Sequence, residues 1–358
     1  MKACFFIGWL SAALLGCGFS GETVDRVGQG TGSQIPPRYA SVVSDGCTPD
    51  AWQSSALASA GMRRFVKEVV LLCAVPRANG DVGPADPSAR HALARVADQL
   101  RSEGYKVGLG VSFTDETAER YDGAQTAQLL ADPVWRSRVV ASLVELSKAV
   151  DGLELDLQKL PPGARADVSR FVEELSLRVR PSKELALLVP PSTRDPSDVD
   201  GGAAFDLPAL AQWVGRMRVM TLDYSDPTAG PTIDPGWAVD AVRFARSKVG
   251  ELALDVAVPL YGNDVSDLGT RSVSYLEARA IAESHRLPIE LGPTGAPHFF
   301  YLDTSGRGHE LWYDDADSTA RTLRAWEPSV LPLDVGVVFY GLGAEDPALW
   351  STLERALP

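Results

Sequence analysis

The sequence predicts an α/β fold, specifically a (β/α)8 TIM barrel with a small α+β insertion between strands 7 and 8. Its 358 residues, of which 45% are hydrophobic, are enough to bury one large core. Short apolar runs alternate with amphipathic helical stretches, which is the pattern of strands covered by helices. The spacing breaks once, between residues 260 and 335, where about 75 residues replace a single connecting helix.

Eight apolar runs predict the barrel strands. Except at the insertion, the chain between consecutive runs is long enough to hold one helix. The runs cover residues 39–43, 66–75, 106–111, 152–158, 184–189, 218–224, 252–260 and 335–342.

Amphipathic patterns predict the helices between these strands. Asp346 and Pro347 are expected to cap and open a last helix at 348–357. The other clear helical stretches are residues 89–103, 132–149, 165–179 and 237–248.

The insertion, about residues 263–325, is expected to form a small subdomain. Asp317 and Ser318 are expected to cap the helix that leads from it to the last barrel strand. Its predicted elements are a helix around 275–283 and two short strands, 298–302 and 309–313, joined by a hairpin turn at 303–306.

Residues 1–17 resemble a bacterial lipoprotein signal peptide. Lys2 precedes an apolar run at 5–15 that is too short to span a bilayer. The run ends in Leu-Leu-Gly-Cys, which resembles a lipobox, so Cys17 is the expected site of lipidation. The alternative is an ordinary signal peptide that is cleaved nearby.

The expected anchor is therefore lipid, and the membrane is a partner only through it. Residues 18–37 have the Gly-rich, polar composition of a flexible tether, and 38–358 form the barrel. The expected location is the cell envelope. Gly18 after the cysteine favours the outer membrane if the organism has two.

The net charge and the histidines limit the possible partners. A formal net charge of −13 argues against nucleic acid and against an anionic membrane surface, while neutral glycans remain compatible. The four histidines show no metal-ligand spacing, and there is no phosphate-binding loop. No cofactor and no metal are therefore expected.

Two cysteines of the barrel region are left without an assigned role. Cys47 and Cys73 could form a disulfide in an oxidising compartment. Two buried free thiols are equally compatible with the sequence.

The strand at 152–158 places three polar groups on one face. Because side chains alternate along a strand, Glu154, Asp156 and Gln158 point away from the leucines between them. Burying two acids costs several kcal/mol unless they are paired, so the row predicts a site. The alternative is a purely structural ion network inside the barrel, with Arg218 or another cation.

This segment resembles the signature strand of glycoside hydrolase family 18, the chitinase-like barrels, whose pattern is Asp-x-x-Asp-x-Asp-x-Glu with the final Glu as proton donor. Asp151 and Asp156 match, and Glu154 stands where the family has Asp. Gln158 occupies the place of the proton donor. An amide has no proton to give at neutral pH, so the resemblance implies a degenerate catalytic motif.

Residues 219–224 resemble the family's sixth strand, Met-x-Tyr-Asp, whose Tyr bonds the acetamido group of the substrate. Leu222 replaces that Tyr and offers no hydroxyl. Asp223 matches the Asp, and Tyr224 follows it as a candidate sugar contact. Asp223 and Asp115 are the acids that could substitute for the missing proton donor.

Two further strands and the insertion also resemble the family. Tyr261 follows the seventh strand, where the family places an aromatic beside the sugar, and Tyr340 stands in for the Trp of the eighth, where it can still stack. Trp312 lies in an insertion that resembles the branch of spore-germination and cortex-lytic hydrolases. Each of these aromatics could instead be an ordinary core residue.

The resemblance implies a substrate-assisted route, in which the residue at 158 protonates the glycosidic oxygen, the substrate's own acetamido oxygen attacks, and Asp156 would steady the resulting ring. Loss of the acid forfeits about 10²–10⁴ in rate. The sequence therefore predicts a lipid-anchored pseudoenzyme that binds an N-acetylglucosamine-containing glycan, either chitin or peptidoglycan fragments, with hydrolysis lost or weak. The alternatives are an active glycosidase on a cell-wall glycan that uses another acid, and a cell-envelope scaffold that reuses the barrel.

Overall fold

The structure is a computed structural model that describes residues 40–86, 89, 91–114, 121–195, 199–329 and 334–356. The predicted signal peptide, Cys17 and the whole predicted tether lie outside the described residues, as does Asp115. No helix among the described residues combines the length and the apolar character that a membrane crossing requires.

Fourteen strands are present in the described part of the chain. They are β1 (Ala40–Asp45), β2 (Glu68–Pro76), β3 (Val82–Pro84), β4 (Lys106–Ser112), β5 (Gly152–Asp156), β6 (Glu184–Val189), β7 (Arg216–Val219), β8 (Ala253–Pro259), β9 (Gly262–Ser266), β10 (Gly269–Val273), β11 (Glu290–Leu291), β12 (Pro297–Leu302), β13 (Gly308–Trp312) and β14 (Val335–Tyr340).

Eleven α-helices accompany these strands within the same described ranges, together with short 3-10 turns. The helices are α1 (Ala51–Ala58), α2 (Ala60–Phe65), α3 (Ala92–Ser102), α4 (Gly123–Ala131), α5 (Pro133–Ser147), α6 (Arg165–Val179), α7 (Leu207–Leu210), α8 (Pro235–Val249), α9 (Tyr275–His285), α10 (Ala316–Trp326) and α11 (Leu349–Ala356).

Eight parallel strands close into the predicted barrel. Their order is β1-β2-β4-β5-β6-β7-β8-β14, and β14 pairs with β1 to complete the ring. The short strand β3 pairs antiparallel with β2 outside it. The prediction of a (β/α)8 barrel is confirmed, and all eight strands overlap the predicted runs.

The insertion between β8 and α10 is also confirmed as a small α+β unit. It is a five-stranded antiparallel sheet in the order β10-β9-β13-β12-β11, with α9 packed on one face. The predicted β12–β13 hairpin is present. The β9–β10 hairpin was not predicted, because its strands alternate little and β10 is mostly exposed.

The cap of α10 differs from the prediction. Asp315, not Asp317, is the N-cap: its side chain accepts a hydrogen bond from the Ser318 backbone N–H at 2.7 Å. The Ser318 hydroxyl accepts from the Asp315 N–H at 3.0 Å and lies within donor distance of Asp314 Oδ1, at 2.8 Å. Because this reciprocal pair needs three residues of spacing, Asp317 lies inside the first turn.

Strands β5 and β7 end earlier than predicted, and the residues that follow them turn toward the carboxyl-end side of the barrel. Strand β5 ends at Asp156, so Gln158 lies just beyond it, and Lys159 adopts a positive φ of 57°. Strand β7 ends at Val219, and Asp223 adopts a positive φ of 53°. The chain therefore turns at the carboxyl ends of these strands rather than continuing straight.

The barrel has two apolar layers. Leu153, Leu155 and Leu157 belong to the large layer between the strands and the helices. A smaller cluster fills the upper barrel interior, with Tyr340 as its largest member. Cys47 and Cys73 form a disulfide, with Cα atoms 5.2 Å apart, that joins the end of β1 to β2.

Candidate functional site

An open cleft lies at the carboxyl ends of the barrel strands, where TIM barrels hold their sites. Its volume is about 480 Å³. Side chains from the barrel rim line most of it, and the end of β10 with the residues after it closes one side. The lining residues used below are Asp45, Tyr121, Asp156, Gln158, Lys159, Asp200, Met220, Leu222, Asp223, Asp226, Tyr261 and Tyr340.

Asp156 forms the floor of this cleft. It is the last residue of β5 and is 2% exposed. Its carboxylate accepts hydrogen bonds from the Tyr121 hydroxyl, from the Ser112 hydroxyl at 3.3 Å and from the Gln158 amide at 3.0 Å. Burial raises the pKa of Asp156, and the three donors oppose that rise by stabilising the charged form.

Gln158 is held by its amide nitrogen. Nε2 donates to Asp156 Oδ1 at 3.0 Å and contacts Met220 Sδ at 3.6 Å. The opposite amide orientation would place two acceptor oxygens against each other, so hydrogen bonding selects the observed one. The carbonyl oxygen of Gln158 is therefore left for the cleft.

Asp223 forms part of the opposite wall. It accepts hydrogen bonds from the Tyr261 hydroxyl at 3.1 Å and from Asn263 Nδ2 at 3.0 Å. Desolvation within the cleft raises the pKa of Asp223, and the nearby carboxylates of Asp226 and Asp200 raise it further. Asp223, like Asp156, is thus a cleft acid that is held in place by neutral donors.

The cleft is strongly acidic. Five aspartates line it, and Lys159 is the basic side chain among the described lining residues. Opposite charge in the cleft would relieve the repulsion among these carboxylates. Clefts lined by one sign of charge concentrate ligands of the other sign.

No protein-family model matches this chain. A cortical fragment-lytic enzyme of Bacillus anthracis is 22% identical over 239 residues, which are 64% of this chain and 55% of that relative. The chain therefore spans about half the length of the curated relatives it matches.

Solved structures show the same barrel. A class V chitinase of Pseudomonas fluorescens Pf-5 superposes with a TM-score of 0.75 at 23% identity, covering 90% of this chain and 100% of that one. The chain resembles glycoside hydrolase family 18. A family 18 chitinase of Cycas revoluta, solved in complex with (GlcNAc)3, has a TM-score of 0.69 at 16% identity and covers 89% of this chain and 100% of that one. The sequence relatives place the resemblance in the spore cortex-lytic branch of family 18.

The cleft brings together most of the residues predicted from the family 18 motifs. Strands β5, β7, β8 and β14 supply them from their carboxyl ends, as the motif order requires. Their roles in binding stay predictions. The predicted residues that line the cleft are Asp156, Gln158, Leu222, Asp223, Tyr261 and Tyr340.

Glu154 does not reach the cleft, so the sequence prediction that includes it among the catalytic residues is wrong in position. It is 1% exposed and pairs with Arg218, which also pairs with Glu68 and with Asp255 at 3.2 Å. Burial raises the pKa of Glu154 to about 7, although Arg218 opposes the rise. This is the structural ion network that the sequence left open.

Tyr340 joins that network to the cleft. Its hydroxyl donates to Glu154 Oε1 at 2.9 Å, and the residue is 7% exposed. The hydroxyl is therefore committed to the barrel interior. The ring forms part of the cleft floor and shows a ligand little surface for stacking.

Three other predicted sugar contacts lie away from the cleft. Asp151 precedes β5, at the opposite end of the barrel, where it accepts from Arg101 Nε at 3.1 Å. Trp312 is 6% exposed and stacks on His298 inside the insertion, with ring centroids 4.0 Å apart. Tyr224 packs on Trp237 with centroids 5.1 Å apart and does not line the cleft.

Sequence reasoning missed several cleft residues. Asp45 ends β1, and a polar residue at the carboxyl end of a barrel strand was an available signal. Asn263, which donates to Asp223 without lining the cleft, comes two residues after Tyr261. Tyr121, which donates to Asp156, precedes α4 and carries no local pattern that marks it.

Proposed function

We propose that this protein binds an N-acetylglucosamine-containing glycan, such as chitin or peptidoglycan fragments, and that hydrolysis is lost or very weak. The observation that carries the proposal is the Gln158 amide, hydrogen bonded to Asp156 on the floor of an open cleft of about 480 Å³. The cortical fragment-lytic and chitinase relatives support a glycan as the ligand.

The chemistry of the floor favours binding over turnover. Cleavage of a glycosidic bond needs a proton at the leaving oxygen, and the Gln158 amide has none to transfer. Asp156 keeps the carboxylate that would orient and steady the sugar. Leu222 removes the hydroxyl that family 18 uses to hold the acetamido group, so the substrate-assisted route also lacks an orienting bond.

The proposal includes anchoring at the cell envelope. Acylation of Cys17 would attach the chain to a membrane, the outer one in a bacterium with two. The tether at 18–37 would then separate the domain at 38–358 from that surface.

Calorimetry with N-acetylchito-oligosaccharides and with peptidoglycan fragments tests the proposal. We expect saturable binding to one of the two ligand sets, without release of reducing ends. Glu145→Gln, on the outer surface of α5, provides a control that leaves the cleft intact. Absence of binding to both sets would exclude recognition of N-acetylglucosamine-containing glycans.

An active glycosidase is the second candidate, because Asp223 offers another carboxyl group in the cleft. Desolvation and its acidic neighbours raise the pKa of Asp223, as a general acid requires. This candidate predicts that the wild-type protein releases reducing ends and that Asp223→Asn abolishes the release. Binding without release would favour the first candidate.

A further inference from the structure

In the part of the chain that the structure describes, no cationic side chain forms an ion pair with a carboxylate of the cleft. Asp45 lines the cleft, and among the described residues no side chain donates a hydrogen bond or forms an ion pair with it. Asp226 accepts from the neutral Thr270 hydroxyl at 2.6 Å, and Asp223 accepts only from neutral donors. The arginines that pair with acids inside the barrel lie below, against Glu154.

These charges act on one another across the cleft. Asp200 and Asp226 both raise the pKa of Asp223, and Asp45 raises the pKa of the Tyr261 hydroxyl. Lys159 lowers the pKa of Asp200 but is one ammonium among five carboxylates. A bound cation would therefore be attracted from several sides.

A separate observation concerns the polarity of the floor. Both hydrogen-bonding directions of Gln158 Nε2 are used, toward Asp156 Oδ1 and Met220 Sδ. The carbonyl oxygen that remains can only accept. A glycosidic oxygen is also only an acceptor and cannot hydrogen bond to the Gln158 carbonyl oxygen. A ligand group that donates a hydrogen bond, such as an amine or a hydroxyl, can.

The N-acetyl group has lost a partner in the same cleft. Leu222 lies where the family 18 motif has a Tyr that bonds the acetamido group, and Leu222 lines the cleft. A buried acetamido carbonyl without a donor costs free energy. An amine at the same carbon carries no such carbonyl.

We infer that the cleft selects glycan segments that carry a free 2-amino group, that is, de-N-acetylated glucosamine residues, over fully N-acetylated segments. The positively charged amine is matched to the carboxylates of Asp45, Asp223 and their neighbours and to the acceptor oxygen of Gln158. This inference rests on the proposed function, since it names the class of glycan that the same cleft takes.

Calorimetry on the full chain tests the selectivity with two tetramers, one of glucosamine and one of N-acetylglucosamine. We expect at least about tenfold tighter binding of the glucosamine tetramer, with the ratio falling as salt screens the attraction. Putrescine, a diamine without a sugar, should not displace the tetramer. Displacement by putrescine at equal concentration would reduce the cleft to a nonspecific cation site and overturn the inference.

Variants that remove one negative charge test whether the cleft carboxylates cause the preference for the glucosamine tetramer. Asp45→Asn should weaken binding of the glucosamine tetramer about fivefold, clearly more than it changes binding of the N-acetylated tetramer. Glu145→Gln makes the same charge change on α5 and should alter neither affinity. Leu222→Tyr should improve binding of the N-acetylated tetramer and so reduce the difference in affinity between the two tetramers.

The outcomes separate the two proposals. Equal or tighter binding of the N-acetylated tetramer overturns the selectivity and leaves glycan binding standing. Failure of both tetramers and of peptidoglycan fragments overturns both. Tighter binding of the glucosamine tetramer that Asp45→Asn weakens, and Glu145→Gln does not, supports the inference.

Discussion

At the scale of single residues, the chemistry of the cleft depends on Gln158, which occupies the position of the proton-donating Glu of family 18. Gln158 keeps the hydrogen bond to Asp156 that a protonated carboxyl group could also donate, so the substitution preserves the floor geometry. It removes the transferable proton and reverses the polarity offered to a ligand. Binding and catalysis are therefore separable at this position.

Restoring the acid tests that separation. Gln158→Glu is expected to raise hydrolysis of a chromogenic chitobioside by about 10²-fold or more, within the 10²–10⁴ range of general-acid catalysis, because the missing proton is supplied. Initial rates of chromophore release measure it. The double variant Gln158→Glu with Asp156→Asn should stay inactive. An unchanged rate in the single variant would mean that more than the acid has been lost.

The raised pKa of Glu154 leads us to expect that the stability of the fold depends on pH. Burial raises its pKa from 4.5 to about 7, so the folded state binds a proton that the unfolded state releases between these values. The resulting stabilisation is fully present below pH 4.5 and is lost as the pH rises through about 7. Glu154→Gln should therefore flatten the pH profile.

Urea denaturation near pH 5 and near pH 8 measures this effect. We expect the free energy of unfolding of the wild type to fall by about 1–3 kcal/mol more than that of Glu154→Gln across this interval. Glu145→Gln, which is exposed on α5, should keep the wild-type profile. Parallel profiles for the wild type and Glu154→Gln would contradict the raised pKa.

At the scale of secondary structure elements, position along a strand separates structural from cleft residues. Strand β5 runs between two acids of similar chemistry: Asp151 precedes it and binds Arg101, while Asp156 ends it and forms the cleft floor. Glu154 lies between them in the ion network. Because all eight barrel strands run parallel, their carboxyl ends meet on one side, and only the last residues of each strand reach the cleft.

The helix α10 offers a test at this scale. Asp315→Ala should lower the free energy of unfolding by about 1 kcal/mol, since it removes the side chain that caps the Ser318 N–H. Thermal melting of both proteins measures the loss. Asp317→Ala, inside the first turn, is the matched control and should cost clearly less. Equal losses would contradict the assignment of Asp315 as the cap.

At the scale of the whole molecule, closure of the barrel assembles the cleft from distant parts of the chain. Asp45 from β1, Asp156 from β5 and Asp223 from beyond β7 line one opening together with the end of β10, and Asn263 of the insertion donates to Asp223. The family 18 motifs singled out Asp156 and Asp223 in the sequence, but not Asp45. Their concentration around one cavity produces the negative potential on which the inferred preference for amino sugars depends.

The proposed anchor is a prediction about the whole chain. In cells given an alkyne-tagged fatty acid, the wild type should be labelled and fractionate with membranes, and Cys17→Ala should be unlabelled because the acylated thiol is gone. Cys4→Ala should keep the label. A wild type that is secreted without label would instead support an ordinary signal peptide.

Much of the fold was predictable because local patterns of hydrophobic residues indicate its strands and helices. The apolar runs of residues 106–111 and 184–189 match β4 and β6 closely, since buried parallel strands need continuous apolar sequence. The run at 218–224 was misplaced, because β7 ends at Val219 and the residues after it turn toward the cleft. Local hydrophobicity does not mark where a strand stops when the following loop is also partly buried.

The sequence by itself determined the barrel, its insertion and the loss of the carboxylic acid at Gln158, because periodicity and residue chemistry are local properties. Only the tertiary structure decided which acids face the cleft. Glu154 and Asp156 are two residues apart on one face of β5. Glu154 nevertheless forms an ion pair with Arg218 of β7, whereas Asp156 accepts a hydrogen bond from Tyr121, which lies in a distant loop. Such partners are set by closure of the ring, which brings together side chains far apart in the chain.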